Sequence, residues 1–290
     1  MNLLEAVFLG IIQGLTEFLP ISSSGHLAVF QQIFDLEDAG VSFDVFLHLG
    51  TLLAVFIVYW RDIGRLIYDG LGIVTDSIIN VCHYIRWKVT KQSPEYRKVI
   101  RTAYRKFAFL IIISTVPTAI IGFIGRDLVD KASKTLIIPG VCLLITALLL
   151  VLSDSIPNGH KTPKRTTYFN ALFIGLCQGI ATLPGLSRSG TTITAGLLCG
   201  LRRDFVVKYS FIMSIPAIMG ASILNIPDMS RDIAKTGAEC YIAGALTAAI
   251  AGYVCIKTML VIVKNKQFKY FSLYCAIVGI IAIAASFIIK

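Results

Sequence analysis

Long apolar stretches separated by short polar and basic ones are the main pattern along this chain of 290 residues. Six of the stretches approach the roughly 17 to 25 residues that an α-helix needs to cross the hydrocarbon core of a membrane. They are residues 43–59, 107–124, 136–152, 209–224, 241–256 and 271–289. A helix is expected for each, since it satisfies its own backbone hydrogen bonds in lipid. The pattern therefore predicts an all-α polytopic membrane protein with six full transmembrane helices.

Composition supports this prediction and excludes a soluble domain. Hydrophobic residues make up 56% of the chain, charged residues make up 15%, and the mean hydropathy is +0.76. A soluble protein of this length is far less apolar. The net charge of +10 could indicate binding to nucleic acid, but the basic residues follow the expected membrane topology instead. We therefore expect the bilayer as a partner and no nucleic acid.

The basic residues predict which ends of the spans are cytoplasmic. Of the 27 Lys and Arg residues, ten lie between Arg61 and Lys106, and the positive-inside rule places that segment in the cytoplasm. Apolar positions at helical spacing between Leu66 and Ile85 predict an amphipathic interfacial helix there. If the chain changes sides at each span, 20 basic residues lie in the cytoplasm and six lie outside. Arg188, within the second polar run, is assigned to neither side. The outer six are Arg126, Lys131, Lys134, Arg231, Lys235 and Lys290.

Two polar runs interrupt the apolar pattern and resemble each other. Residues 10–25 (GIIQGLTEFLPISSSG) and 175–190 (GLCQGIATLPGLSRSG) align at a constant offset of 165 and share glycine, glutamine and serine at matching positions. Such self-similarity indicates an internal duplication. Polar backbone at membrane depth is tolerated only where it lines a protein cavity, so both runs are candidates for a buried site.

The charge-based topology holds only if each polar run enters and leaves the membrane on the same side. Residues 3–34 and 169–201 are therefore expected to be re-entrant helical hairpins broken at their tips. The first would enter from the outer face, beside Asp35, Glu37 and Asp38, and the second from the cytoplasm. This opposite orientation makes an inverted-topology repeat, which places a binding site near the midplane where the two tips meet.

The chain shows no soluble domain or low-complexity segment, so residues 1–290 are expected to form a single membrane domain. Its first repeat covers about residues 1–60, with a motif at 13–26, and its second covers about 169–224, with a motif at 184–192. Between them lies a cytoplasmic amphipathic and basic insert at about 61–106, with no assigned role beyond topology and contact with anionic lipid.

Ionisable side chains are rare within the apolar segments, and each is a functional candidate because burying a charge in lipid is costly. They are Glu5, Glu17, His26, Asp44, His48 and Arg188. One fixed cation, many hydroxyl groups and glycine N–H groups at helix starts together suit a phosphate ligand. The duplicated runs supply these groups, so the expected substrate-binding residues are Ser22, Ser24, Gly25, Ser187, Ser189, Gly190 and Thr192.

A carboxylate in such a site would repel phosphate unless a cation lies between them. Mg²⁺ or Ca²⁺ could take oxygen ligands from Glu17, the amide of Gln13 and the substrate. Gln13 and Glu17 share a helix face because they are four residues apart. His26, three residues after Ser23, could accept a serine proton or protonate a leaving group.

Each of these residues also has a simpler explanation. Serine and glycine in membrane helices serve close packing more often than catalysis. His48 and Asp44 lie outside the duplicated runs and are as readily explained as packed, hydrogen-bonded groups. Glu5 is best explained as an exposed interfacial carboxylate. The clustering of the other candidates in two matched breaks nevertheless favours a functional site.

Two strings of the sequence resemble the signature motifs of the undecaprenyl-diphosphate phosphatase family, also known as the bacitracin resistance protein family. They are QGLTEFLPISSSGH at residues 13–26 and PGLSRSGTT at residues 184–192. The apolar pattern is similar to that of the family from residue 1 to residue 290. Many members have glutamate at the position of Gln13, so in this chain Glu17 would carry more of any charged role.

The resemblance implies a multi-spanning enzyme that removes the terminal phosphate from a C55-type polyprenyl diphosphate. It would thereby regenerate the lipid monophosphate carrier used in cell-wall synthesis. The resemblance also implies Glu17 as the metal or acid/base carboxylate, with Gln13 as its partner. Ser23 would be the nucleophile and His26 its proton partner. Arg188 would clamp the diphosphate, with added hydrogen bonds from Ser187 and Thr192.

Some alternatives stay open at this point. Direct attack on phosphorus by His26 or by water competes with attack by Ser23, and dimer formation by two copies of the chain is undecided. The rival function is a polyprenyl-phosphate transporter or flippase, because inverted repeats around a midplane site are typical of transporters. The expected location is the cell membrane, with the active site opening to the outer face.

Overall fold

The computed structural model describes residues 1–33, 40–133 and 135–288, and in these ranges the chain folds into eleven helices and no β-strand. The helices are α1 (Leu3–Phe18), α2 (Ser23–Ile33), α3 (Gly40–Thr90), α4 (Ala103–Ile124), α5 (Arg126–Ser133), α6 (Ile137–Ser155), α7 (Tyr168–Ile180), α8 (Arg188–Leu198), α9 (Arg203–Thr236), α10 (Ala238–Lys264) and α11 (Lys269–Ile288). The predicted all-α class is therefore confirmed.

Six of these helices are long and apolar enough to cross a membrane, counting only the described residues, and they correspond to the six predicted apolar runs. The qualifying segments are Ser42–Thr90, Ala103–Ile124, Ile137–Ser155, Arg203–Asn225, Ala238–Lys264 and Lys269–Phe287. Their outward faces carry exposed Ile, Leu and Phe side chains, as expected for surfaces in contact with lipid. The chain is thus a multi-pass membrane protein.

The predicted interfacial helix follows the first span within α3. Two helical segments meet at a kink at Tyr59, where the backbone leaves helical values (φ −108°, ψ 20°). The second segment carries Asp76, a buried carboxylate that forms ion pairs with arginines of the basic insert. Arg97 lies 3.6 Å and Arg101 lies 2.6 Å from this carboxylate, and Arg105 also contacts it. The insert therefore folds back onto the helix.

The duplication seen in the sequence is repeated in the helices. Both α1 and α7 begin with a capping box, formed by Asn2 with Glu5 and, 165 residues later, by Thr167 with Asn170. Reciprocal hydrogen bonds of this kind satisfy the free N–H groups of a first helical turn. The bounds of α2 and α8 also match at the same offset. Glu5 thus serves as a helix cap.

Matched glycines let each repeat pack closely against a long helix. The helix α1 packs mainly on α10, and α7 packs mainly on α4. A side chain at Gly10 would collide with the carbonyl oxygen of Gly244, and one at Gly175 would collide with that of Ser114. The glycines therefore allow close helix approach, the role that small residues commonly have in membrane bundles.

The core lies around α9, where Tyr209, Phe211 and Met213 are almost fully buried. Among the short helices, α8 packs on α9 and α6, whereas α1 packs on α10 and α3 and α7 packs on α4. The acidic residues Asp35, Glu37 and Asp38 and the expected outer residues Lys134 and Lys290 lie outside the described residues, as do the side chains of Arg231 and Lys235.

Candidate active site

The two polar breaks of the duplicated runs meet each other. The first break joins α1 to α2 at residues 19–22, and the second joins α7 to α8 at residues 181–187. Ser189 Oγ donates to the carbonyl oxygen of Leu19 at 3.4 Å. A Cβ atom placed on Gly25 would lie 3.3 Å from the Cα atom of Gly185. The tips of the two repeats are therefore in direct contact.

Glu17 is the centre of this contact. Its side chain is only 4% exposed and lies in the last turn of α1. Arg188 Nη2 donates to Glu17 Oε1 at 2.5 Å, so the ion pair joins the two repeats. Ser23 Oγ donates to Glu17 Oε2 at 2.5 Å, and Gln13 Nε2 donates to the same oxygen at 3.1 Å. A buried carboxylate keeps its charge only with such partners.

A cavity of about 380 Å³ opens beside this cluster. Its wall comes from both repeats, from the start of α3, and from α5 and α9. The lining residues are Thr16, Glu17, Ser22, Ser23, Ser24, Asp44, Val45, His48, Val129, Ala181, Thr182, Leu186, Ser187, Arg188, Ala217, Ile218, Ala221, Ser222 and Asn225. This volume is within the range of small-molecule sites.

Two helices point their N-termini at the cavity. Ser23 begins α2 and Arg188 begins α8, and both residues line the wall. Ser187 caps α8 by accepting a hydrogen bond from the N–H of Gly190 at 3.1 Å. Ser22 has a left-handed backbone (φ +70°), which is costly for a residue other than glycine and common at functional sites. Converging helix N-termini favour the binding of an anion.

Arg188 remains able to bind a second anion. Among the residues described, Glu17 is the hydrogen-bond partner of its guanidinium, and its side chain is 20% exposed on the cavity wall. A guanidinium carries five N–H donors in a rigid fork, so most of them are left for a ligand. The phosphate clamp expected for Arg188 is compatible with this placement.

The structure gathers some of the expected site residues and places others elsewhere. Those on the cavity wall are Glu17, Ser22, Ser23, Ser24, Ser187 and Arg188. Gln13 is fully buried behind Glu17. Thr192 Oγ1 lies 2.5 Å from Ser210 Oγ inside the helix packing. Gly25, Ser189 and Gly190 form the contact between the tips and are not among the cavity-lining residues.

His26 does not approach Ser23 through a hydrogen bond. Its Nδ1 atom donates to the carbonyl oxygen of Ser22 at 2.7 Å, because a carbonyl can only accept. Its Nε2 atom then accepts from the hydroxyl of Tyr274 at 2.7 Å in a neutral ring. The two rings also stack, with centroids 5.6 Å apart. His26 thus fastens the start of α2 to α11.

A different histidine lies at the cluster. His48 Nδ1 is 3.4 Å from Glu17 Oε2 and 2.9 Å from Gln13 Nε2, and its side chain, 31% exposed, lines the cavity. Asp44 lines it one turn earlier on α3 and accepts from Gln31 at 2.7 Å. The sequence contained a signal for both, since two ionisable residues four apart share one face of an otherwise apolar helix.

The residues present fit a hard divalent cation in part. Gln13 Oε1 is buried and has no hydrogen-bond partner among the described residues, a costly state that a cation or water would relieve. It lies one helical turn from the Glu17 carboxylate. No group of three or more His, Cys, Asp and Glu ligands is present in the described part of the chain, so a cation would need phosphate oxygens as well, as Mg²⁺ commonly does.

Comparisons with known proteins identify the family of the chain. The family model described as "Bacitracin resistance protein BacA" matches residues 6–281. A protein of Methanosphaera stadtmanae named undecaprenyl-diphosphatase is 38% identical over 289 residues, which cover 100% of both chains. Proteins with the same name from Desulforapulum autotrophicum and Methanobrevibacter smithii are 39% and 38% identical, with coverage of 98% or more of each chain. Since the family model and these relatives span nearly the whole sequence, the chain belongs to the family of the bacitracin resistance protein BacA.

Proposed function

We propose that this protein hydrolyses undecaprenyl diphosphate to the monophosphate and inorganic phosphate, and that the cavity between the two tips is its active site. The observation that carries the proposal is the shared carboxylate: Glu17 contacts a serine hydroxyl and an arginine at the wall of one cavity. A hydroxyl, a base and a cation at one point are the groups that phosphoryl transfer requires. The activity would recycle the lipid carrier of cell-wall synthesis.

In the first step Ser23 Oγ attacks the terminal phosphorus while Glu17 takes the hydroxyl proton. The new Oγ–P bond replaces the bond between that phosphorus and the bridging oxygen, so the polyprenyl monophosphate leaves. Arg188 and the N-termini of α2 and α8 stabilise the charge on the phosphoryl oxygens. The 2.5 Å contact between Ser23 and Glu17 is within the reach that proton transfer needs.

With the Gln13 amide donating to His48 Nδ1, the proton of the neutral His48 ring is carried on Nε2. The proton that Glu17 takes from Ser23 in the first step can pass to this Nδ1 atom, 3.4 Å from Glu17 Oε2, while the Nε2 proton goes to the departing monophosphate. In the second step water attacks the phosphorylated Ser23, and inorganic phosphate is released. Glu17, again ionised, takes a proton from the water and returns it to Ser23 Oγ as the Oγ–P bond breaks.

A divalent cation would be held by Glu17 and the amide oxygen of Gln13, and it would supply positive charge to the diphosphate oxygens. The unpartnered oxygen of Gln13 supports this assignment. Glu17 would then be the charged ligand of the cation and Gln13 a neutral one, so the cation would need no second carboxylate at position 13.

The cavity is inferred to open to the outer face of the cell membrane. Its wall includes Asp44 at the start of α3, Val129 on α5 and Asn225 on α9. The opposite end of α3 leads into the basic segment between Arg61 and Lys106, which the positive-inside rule assigns to the cytoplasm. In this orientation the two helical hairpins enter the membrane from opposite faces.

Phosphate release from a C55 diphosphate by purified protein in detergent tests the proposed function. We expect release without any gradient, a fall in rate with a chelator, and recovery on addition of Mg²⁺ or Ca²⁺. Unchanged phosphate release in the presence of the chelator would mean that hydrolysis needs no divalent cation. Movement of the lipid across proteoliposomes with no phosphate release would contradict hydrolysis and support a carrier.

Replacement of His48 by glutamine is expected to lower kcat by about a hundredfold, because general acid–base groups contribute 10²- to 10⁴-fold. Loss of rate alone would not separate chemistry from packing, so the rate should be followed against pH. His48→Gln should remove one limb of the pH–rate profile. His26→Gln should retain both limbs, since the His26 ring positions α2 through Ser22 and Tyr274.

The reverse result would give the acid–base role to His26. A profile that loses a limb in His26→Gln and keeps it in His48→Gln would show that the histidine expected from the family resemblance acts on the reacting atoms.

A further inference from the structure

A second and larger cavity adjoins the proposed active site. It has a volume of about 800 Å³ and lies between α4 and α9. Its lining residues are Thr115, Thr118, Ala119, Ile120, Gly122, Phe123, Ile124, Thr182, Pro216, Ala217, Gly220, Ala221 and Leu224. None of these residues is charged. We call this cavity the α4–α9 groove.

The groove and the active site share a wall. Thr182, Ala217 and Ala221 line both cavities, so the two cavities are neighbours that share the side chains of these small residues. Thr182 belongs to the break between α7 and α8, the break that also carries Arg188. An anion held at Arg188 would therefore lie in the cavity that adjoins the apolar groove.

The active-site cavity is too small for the whole substrate. Its volume of about 380 Å³ is near the lower end of the range for drug-sized ligands, whereas a C55 chain is larger than such a ligand. The apolar tail must therefore leave the cavity. Its exit has to be apolar, because covering the tail with polar groups would forfeit the hydrophobic stabilisation of burying it.

The outer side of the groove faces lipid. Ile120, Phe123, Ile124 and Leu224 expose between 53% and 77% of their surface, on helices that span the membrane. Small residues lie between them, among them Gly122 on α4 and Gly220 on α9. The substrate tail can therefore enter the groove laterally from the bilayer while its headgroup enters the polar cavity.

We propose that the α4–α9 groove binds the isoprenoid tail of the diphosphate substrate next to the headgroup. This inference rests on the proposed function, since it assigns the tail of that same substrate. A fixed tail site on the enzyme gives chain-length preference, because each prenyl unit that contacts the groove adds buried apolar area. A diphosphate with a short tail gains less from the groove and depends on the polar cavity alone.

Gly220→Leu and Gly122→Leu test the groove from its two sides. A Cβ atom added at either glycine meets no atom within 4 Å, so leucine can occupy the groove without displacing backbone. Leucine also favours helix more than glycine does, so folding should be retained. Gly64→Leu is the matched control, because Gly64 has equally open space and lies on α3, away from the groove.

The measurement is phosphate release in nanodiscs from a C55 diphosphate and from farnesyl diphosphate, a C15 probe. We expect each groove variant to raise KM for the C55 substrate about tenfold and to leave kcat/KM for the C15 probe within about twofold of wild type. Gly64→Leu should leave both unchanged. Thermal unfolding of each variant in detergent checks that the fold is intact.

Two results would overturn the groove assignment. Unchanged KM for the C55 substrate in both groove variants would mean that the tail runs elsewhere and that ordinary bilayer lipid occupies the groove. An equal loss with both substrates would mean that leucine disturbs the headgroup site. If the wild-type protein releases phosphate from neither substrate, the proposed function itself fails, which is distinct from either result.

Discussion

Arg188→Ala is expected to lower the rate of phosphate release by about a thousandfold or more. Donors aimed at developing charge contribute 10²- to 10³-fold in kcat, and arginines that stabilise phosphoryl transfer contribute 10³- to 10⁵-fold. Arg188 combines an ion pair to Glu17 at 2.5 Å with free donors on the cavity wall. Its removal therefore takes away the cation that the diphosphate would contact.

A control is needed because the same change leaves Glu17 buried without its partner. Breaking a buried ion pair costs roughly 3 to 5 kcal/mol of stability, so thermal unfolding should be measured beside activity. Arg188→Lys preserves the charge and loses the two-pronged hydrogen bonding of arginine. It should fold normally and retain a small part of the rate. Near wild-type turnover in Arg188→Ala would refute the role of Arg188 in binding the diphosphate.

Glu17→Gln is expected to abolish turnover to a similar degree, about a thousandfold. The amide keeps the shape of the side chain and cannot take the proton of Ser23, which now lies 2.5 Å from the carboxylate. It also removes the charged ligand available to a cation. General-base contributions of 10²- to 10⁴-fold set the scale of this loss.

Glu5→Gln is the matched control for this variant. Glu5 lies on the same helix and serves in a capping box, a role that glutamine also fills, so activity should be unaffected. Turnover of substrate labelled in the terminal phosphate should be quenched in acid, which preserves phosphoserine, and in parallel in alkali, which preserves phosphohistidine. Label should remain on Ser23 in the wild type and be absent from Glu17→Gln. Label on a histidine, or on no residue in the active wild type, would exclude Ser23 as nucleophile.

The architecture was largely accessible from the sequence, because membrane spans depend on the length and polarity of a segment. The six apolar runs each coincide with a long helix, and the two polar runs each contain a break. The offset of 165 between the repeats also extends to their helix caps, as Asn2 and Thr167 show. The spans, breaks and caps each depend on a short segment of sequence, so the pattern of residue types predicts them.

The side-chain partners within the site were harder to predict. The string containing Ser23 and His26 favoured a proton relay between them, yet the turn at Ser22 and the ring of Tyr274 direct the histidine towards α11. His48 lies beside Glu17 although 31 residues separate them. Contacts of this kind depend on how distant helices pack, which spacing along one helix does not encode.

The segment of α3 beyond Tyr59 was predicted as a helix, but its partners in the insert were not. Asp76 of this segment pairs with Arg101 and Arg105, and these ion pairs hold the insert against the helix. A pattern of apolar positions contains no information about a pairing of that range.

The ion pair between the two tips has a consequence for biosynthesis. Glu17 and Arg188 are 171 residues apart, and Ser23 and His48 also come from the first half of the chain. A ribosome must therefore deliver α1 through α8 before any catalytic centre exists. A prematurely terminated polypeptide, however well inserted, would hold a lone carboxylate with nothing to attract pyrophosphate, so it could neither consume the lipid carrier nor trap it.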